Sequence, residues 1–219
     1  HTLRQLVEKD YPNLPYIMFG HSWGSMIARA YTAIYGEGIA AATYCGTVSG
    51  LKDIDLLYRD LEVEMNAGKA AESGMEYMGR MFSGMVERYE NPNGPSDWIA
   101  LDADVVTDHG KDPFNNLSNP PTIQLMYDFV SLYNFIEAED WAAKVPVSLP
   151  LYLIAGDQDP VGNYGEGVYN VANRLWSSGH KNVTTRVYTG YRHEIHNEPP
   201  IRNEVEAGII DFINGVLPQ

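Results

Sequence analysis

Ser22 sits at the centre of Gly20-His21-Ser22-Trp23-Gly24, after the apolar run Tyr16-Ile17-Met18-Phe19 and before a helical pattern that begins Ser25-Met26-Ile27-Ala28-Arg29-Ala30. Strand, Gly-x-Ser-x-Gly and helix in that order predict a nucleophile elbow. In such a turn a strained backbone lifts the hydroxyl clear of the sheet, and the two glycines keep neighbouring elements from colliding with it. Without the strand and the helix, the same five residues would read as an ordinary strand-to-helix turn. A serine hydroxyl is a weak nucleophile until a histidine takes its proton and a carboxylate orients that histidine. Both partners lie downstream. The apolar run Leu149-Pro150-Leu151-Tyr152-Leu153-Ile154-Ala155-Gly156 reads as a buried parallel strand and ends in Asp157-Gln158-Asp159-Pro160, which puts two carboxylates at a strand's carboxyl end. Val183-Thr184-Thr185-Arg186-Val187-Tyr188 alternates as a second strand and runs into Thr189-Gly190-Tyr191-Arg192-His193-Glu194, which places His193 in a loop just after it.

The elements that must hold these residues fall into three stretches. Residues 1 to 49 read as an amphipathic helix over Thr2 to Asp10, the nucleophile strand, a helix to about Tyr35 and a strand from about Ala40 to Cys45. Residues 50 to 147 lack strand alternation and show helical spacing instead, as in Leu56, Leu57, Leu61, Met65 and in Met75, Met78, Met81, Phe82, Met85. This stretch is predicted to be an inserted helical cap, with turns at Asn91-Pro92-Asn93-Gly94-Pro95 and Asn119-Pro120-Pro121. Residues 148 to 219 return to strand and helix alternation. They close with an amphipathic helix of about Asn203 to Val216 whose Val205, Ile209, Phe212 and Ile213 share one face. The expected architecture is α/β: a mostly parallel sheet flanked by helices, formed by residues 1–49 and 148–219, with the cap of 50–147 set into it.

Phe19-Gly20-His21-Ser22-Trp23-Gly24-Ser25, Ala155-Gly156-Asp157-Gln158-Asp159-Pro160-Val161-Gly162 and Gly190-Tyr191-Arg192-His193-Glu194 together resemble the lysophospholipase and monoacylglycerol lipase branch of the α/β-hydrolases. The similarity runs along the whole chain, through the Cys45-Gly46-Thr47 turn and the segment from Asp97 to Val106. The chain order Ser, Asp, His is that of the α/β-hydrolases. The resemblance implies their fold, the nucleophile on Ser22, the base on His193 and the acid on Asp159 rather than Asp157. For Asp157 a turn-stabilising bond to its own backbone is expected. Of the oxyanion donors, the resemblance assigns only the Trp23 N–H. Members of the family begin with several strands and a His-Gly loop that supplies a second donor, and nothing in residues 1 to 19 matches it, which implies an N-terminally truncated form of the fold. Losing one such donor costs on the order of 10²–10³ in turnover. Unpaired sheet edges template self-association, so a homo-oligomer is expected.

Composition narrows the partners. With 219 residues and 44% hydrophobic content, the chain can bury one substantial core and carry a cap. A formal net charge of −14 argues against nucleic acid and against docking on anionic membranes, since both need basic patches. The single cysteine, Cys45, allows no internal disulfide and reads as an inert buried thiol at a strand end, which suits a reducing compartment and a cytoplasmic location, with secretion left open as the alternative. No apolar run reaches the roughly 18 residues that span a bilayer, so no stable membrane insertion is expected.

Met75, Met78, Met81, Phe82 and Met85 could wall an acyl chain, because thioethers adapt to irregular apolar shapes, while plain helix packing accounts for the same spacing. Tyr127, Phe129, Tyr133 and Phe135 carry the same ambiguity. From these sets Met78, Phe82, Tyr127 and Tyr133, together with His21 at the variable position of the elbow, are the expected substrate-side residues. His196 is the rival base, but the family's motif puts the base before Glu194. His1, His109 and His180 show no metal-like spacing with carboxylates or cysteines, and no zinc, phosphate-loop or dinucleotide pattern is present; neither metal nor cofactor is expected. The activity implied is a serine carboxylic ester hydrolase acting through an acyl-enzyme on lipid-like or short-chain monoesters. An aminopeptidase of the proline iminopeptidase type would use the same three residues with cap carboxylates such as Glu62, Glu64, Glu72 and Glu76. An inactive fragment acting by binding or assembly is the alternative from another class.

Overall fold

In a computed structural model of this chain, which describes residues 1–115 and 119–217, four strands form one all-parallel sheet in the order β1-β2-β3-β4. The strands are β1 (Tyr16–His21), β2 (Ile39–Cys45), β3 (Leu151–Gly156) and β4 (Val183–Tyr188). Helix α1 (Thr2–Asp10) precedes β1, and α2 (Trp23–Tyr35) crosses from β1 to β2. Between β2 and β3 lie α3 (Ile54–Asn66), α4 (Met75–Met81), α5 (Ala103–Lys111), α6 (Ile123–Glu137) and α7 (Trp141–Lys144). Helix α8 (Glu166–Ser177), entered through a short 3₁₀ turn at Asn163–Gly165, links β3 to β4, and α9 (Arg202–Val216) follows. Parallel neighbours need such crossovers, and helices on both faces bury the sheet.

Burial explains the two strand patterns seen in the sequence. Strand β3 is buried at every position: Leu151, Leu153 and Ala155 enter the main core, while Tyr152 and Ile154 enter a second cluster with Cys45, Tyr188, Ile195 and Val205. Each large side chain so buried contributes about 1.5–3 kcal/mol. Strand β4 lies at the sheet's other end from β1 and keeps Thr184 and Arg186 exposed, hence its alternation. The main core runs without a break from the sheet into the helices of residues 50–147, joining Met26, Tyr44 and Leu153 to Leu57, Leu61, Met126 and Val130. The methionine helix is shorter than its spacing predicts. Helix α4 stops at Met81, and Met85 is buried from a run of turns beyond it. Gly79 and the Ser83-Gly84 pair are poor helix formers, which accounts for the early end.

Arg29 is the fold's least expected core residue. Its fully buried guanidinium donates from Nη1 to the Val48 carbonyl at 2.7 Å and from Nη2 to the Ile136 carbonyl at 2.8 Å, and pairs with Glu137 at 3.0 Å. It also lies 4.3 Å over the Trp141 ring, whose Nε1 donates to the Arg29 carbonyl at 3.0 Å. One side chain thus ties α2 to the turn after β2 and to the carboxyl end of α6, where a cation also complements the helix dipole. No helix among the described residues is long and apolar enough to cross a membrane.

Candidate active site

Strand β1 ends at His21 and α2 begins at Trp23, so Ser22 alone makes the turn, with φ 56° and ψ −122°. A non-glycine residue at positive φ costs of order 1–3 kcal/mol and persists only where its surroundings hold it. Here the Ser22 N–H donates to the Cys45 carbonyl at 3.0 Å, and the Ser22 carbonyl accepts from the Ser25 N–H at 2.8 Å and the Ser25 hydroxyl at 2.7 Å. Of the two elbow glycines only Gly20 is sterically required. A Cβ there would stand 2.2 Å from the Gly24 carbonyl oxygen, whereas a Cβ on Gly24 meets nothing within 4 Å. This corrects the expectation that both keep neighbours clear: Gly24 is the backbone that Gly20 must approach. Trp23 opens α2, where first-turn N–H groups have no intrahelical acceptor, and its ring lies 5.6 Å from that of Phe129.

Asp159 and His193 meet in the interior. The Oδ2 of Asp159 lies 2.8 Å from His193 Nδ1, and its Oδ1 accepts from the Val161 N–H at 2.9 Å; both residues are buried. The Nε2 of His193 is buried with no hydrogen-bond partner among the described residues. Asp157 takes another course: its Oδ1 accepts from the Gly190 N–H at 2.7 Å and from Gln158 Nε2 at 3.1 Å. The sequence had suggested a bond to its own backbone; Asp157 instead braces the turn after β4.

A segment of residues 97–101 holds the histidine loop. The His193 N–H donates to the Trp98 carbonyl at 3.3 Å and the Glu194 N–H to the Ile99 carbonyl at 2.8 Å, while Arg192 Nη1 donates to the carbonyls of Asp97 at 2.5 Å and Ala100 at 2.9 Å. Glu198 accepts from the Leu101 N–H, and burial pushes its carboxyl above the usual range. The Trp98 ring lies 5.1 Å from the His193 ring, and Phe82 stacks on Trp98 at 5.6 Å. Gly46, at φ +54°, passes so close that a Cβ would stand 2.9 Å from His193 Cε1. Trp98 and Gly46 had no assigned role in the sequence. Their segments, Asp97 to Val106 and Cys45-Gly46-Thr47, carried the resemblance, and that was the available signal.

Residues 1–200 match the family model described as serine aminopeptidase, S33, which covers most of the chain. The chain belongs to the serine aminopeptidase S33 family. It is 52% identical to a highly thermostable carboxyl esterase from Bacillus coagulans solved in complex with glycerol, at a TM-score of 0.95 over 99% of this chain and 69% of that one. A lipase solved in an open form is 35% identical, with a TM-score of 0.89 over 98% of this chain and 69% of that one. A monoacylglycerol lipase of Mycolicibacterium smegmatis is 24% identical over 218 residues, which cover 97% of this chain and 68% of that protein. The fold is that of the α/β-hydrolases, and the family is one of hydrolases of the esterase and monoacylglycerol lipase type.

In this S33-family chain the expected substrate-side residues separate into two groups. His21 and Phe82 lie by the histidine: the His21 ring is 4.6 Å from that of His193, and Phe82 reaches it through Trp98. Burial, and then the neighbouring His193, hold the His21 imidazole down at about 2, so it is neutral. Tyr127 instead pairs with Tyr58 at 3.0 Å between hydroxyls, the buried Tyr133 hydroxyl accepts from the Leu51 N–H at 2.9 Å, and Met78 packs on the margin of the main core. Met81 and Met85 line a cavity of about 700 Å³ with Leu57, Glu76, Arg88 and Tyr164; Ser22 and His193 do not line it. Cys45 is buried, which pushes its thiol up, and its Sγ lies 3.9 Å from Nδ1 of His196. Among the carboxylates of residues 50–147, Glu64 is paired with Lys69 at 2.7 Å.

Proposed function

We propose that this S33-family hydrolase is a serine carboxylic ester hydrolase working through an acyl-enzyme. As Ser22 Oγ bonds to the ester carbonyl carbon, His193 Nε2 takes its proton and the carbonyl oxygen becomes an oxyanion facing the Trp23 N–H. Collapse breaks the bond to the alcohol, which leaves with the proton from His193; water then repeats the sequence and releases the acid. Asp159 keeps the imidazole oriented and stabilises its charged form. The observation that carries this reading is the buried Asp159–His193 pair at 2.8 Å with His193 Nε2 left unpartnered, its ring 4.6 Å from that of His21, the residue that precedes a serine at positive φ.

The aromatic surroundings, Trp98 and Phe82 beside His193 and Phe129 beside Trp23, favour lipid-like or short-chain monoesters over peptides with a free amine. The likeness to an esterase and two lipases supports the same choice. Self-association belongs to the proposal as well: among the described residues β1 pairs with β2 alone, and Phe19 and Ile27 beside that edge are about half exposed, at 49% and 50%.

A fluorophosphonate is expected to label Ser22, read by intact mass and peptide mapping, with Ser22→Ala unlabelled. The same protein is expected to turn over a p-nitrophenyl ester and not an aminoacyl anilide. Labelling that persists in Ser22→Ala would transfer the nucleophile elsewhere, and turnover of the anilide alone would replace the ester reading.

A further inference from the structure

Beside His193 lies a second cluster to which ester hydrolysis gives no task. His21 closes β1 and Cys45 closes β2, and the two are paired positions in the parallel register, so both face the same side of the sheet. The loop that carries His193 continues to His196, whose ring comes to 4.4 Å from that of His21. One ligand atom from each of the three lies within 4.8 Å of the others, with Cys45 Sγ and His196 Nδ1 at 3.9 Å. A tetrahedral zinc ion with Zn–S of about 2.3 Å and Zn–N of about 2.0–2.1 Å spaces such atoms by roughly 3.3–3.6 Å. Closing the gap asks for side-chain rotation on the scale of one ångström. A thiolate and two imidazoles select zinc-like cations, whereas magnesium and calcium seek oxygen.

We propose that His21, Cys45 and His196 form a binding site for a zinc-like divalent cation, and that its occupancy slows ester hydrolysis. Binding replaces the Cys45 thiol proton, which leaves to solvent, with a metal–sulfur bond; two imidazole nitrogens bind alongside and a water completes the fourth position. The exchange adds one net positive charge. The His21 ring stands 4.6 Å from that of His193, which itself becomes cationic when it takes the Ser22 proton, and a like charge so near disfavours that state. His21 Nε2 also lies 3.3 Å from the His193 carbonyl, so fixing His21 fixes the backbone of the base. The inhibitory half rests on the reading of His193 as general base; the binding half does not.

The test is a cobalt(II) titration of the chelator-treated protein, followed by absorbance. One equivalent is expected to bind with a thiolate-to-cobalt charge-transfer band, displaced by zinc and untouched by magnesium. Cys45→Ala is expected to lose the band, and His196→Asn, checked as folded by circular dichroism, to lose at least about tenfold in cobalt affinity. Saturating zinc should lower wild-type ester turnover about tenfold or more, and leave the turnover of His196→Asn where it was without zinc. Absence of the band, or its survival in both variants, overturns the site. Cobalt binding with zinc-insensitive turnover overturns the inhibitory half, and a wild type without ester turnover overturns the ester reading and that half together, while the cobalt band alone decides the site.

Discussion

Asp159 gives one carboxylate oxygen to His193 and the other to the Val161 N–H, whereas Asp157 gives its oxygen to the Gly190 N–H in the turn after β4. An amide at 159 can neither stabilise an imidazolium nor enforce the right tautomer. Asp159→Asn is therefore expected to lower ester turnover by about 10⁴, in steady-state kinetics at unchanged fold. Asp157→Asn keeps an acceptor oxygen for Gly190 and is expected to stay within about tenfold of wild type, with a stability loss of about 1 kcal/mol. The reverse ranking would move the role to Asp157. In the sequence the two differed only through the family's motif, because carboxylates one residue apart at a strand end look alike until the loops they meet are known.

The strand–helix elbow and the α2 anchor belong to the scale of elements. Since a Cβ at Gly20 would run into the Gly24 backbone while one at Gly24 meets open space, Gly20→Ala is expected to cost several times more stability than Gly24→Ala in urea unfolding, and to lose labelling by a fluorophosphonate with it. Equal costs would mean that β1 and α2 approach less closely than described. Arg29 holds α2 against the α6 end through two carbonyls and Glu137. Arg29→Ala removes the guanidinium donor from the Val48 carbonyl, leaves the Ile136 carbonyl with Arg174 at 3.4 Å, and leaves Glu137 with Arg174 at 3.4 Å and the Ser49 hydroxyl at 3.2 Å. A loss of about 3–5 kcal/mol is expected by chemical denaturation. Arg29→Lys should recover little of it, because the two carbonyls are met by two separate nitrogens of a planar fork that a single ammonium nitrogen does not reproduce; a loss below about 1 kcal/mol in either variant would show the network to be dispensable.

For the whole molecule, the main core passes from the sheet into the helices of residues 50–147 without a break. We propose that this stretch acts as a cap over the site while unfolding together with the sheet. Exposed apolar residues near the start of the chain are the other distinctive feature: Leu3 and Leu6 in α1, Leu14 in the turn before β1, Phe19 in β1 and Ile27 in α2 all lie open. Apolar surface beside a strand edge with no partner among the described residues favours association. Light scattering on the 219-residue chain is expected to give a mass above that of one copy, and Phe19→Lys to lower it. A monodisperse single copy at micromolar concentration would remove self-association from the proposal.

Periodicity and turn chemistry in the sequence were enough for the strands, the helices α1, α2 and α9, the elbow and the loop positions of His193 and the two aspartates, because those signals are local: apolar runs mark strands buried on both faces, and Gly-x-Ser-x-Gly marks one tight turn. Local signals could not show that Arg29 is a core residue, since its acceptors at Val48 and Ile136 are supplied by distant turns. Nor could they separate Phe82, which reaches His193 through Trp98, from Met78 in the same spaced set or Tyr133 in the next, which pack among the helices of residues 50–147. The same holds for His21, Cys45 and His196, whose separations along the chain resemble no ligand pattern. Only the parallel register of β1 and β2, and the return of the loop after β4, bring them within 4.8 Å of one another.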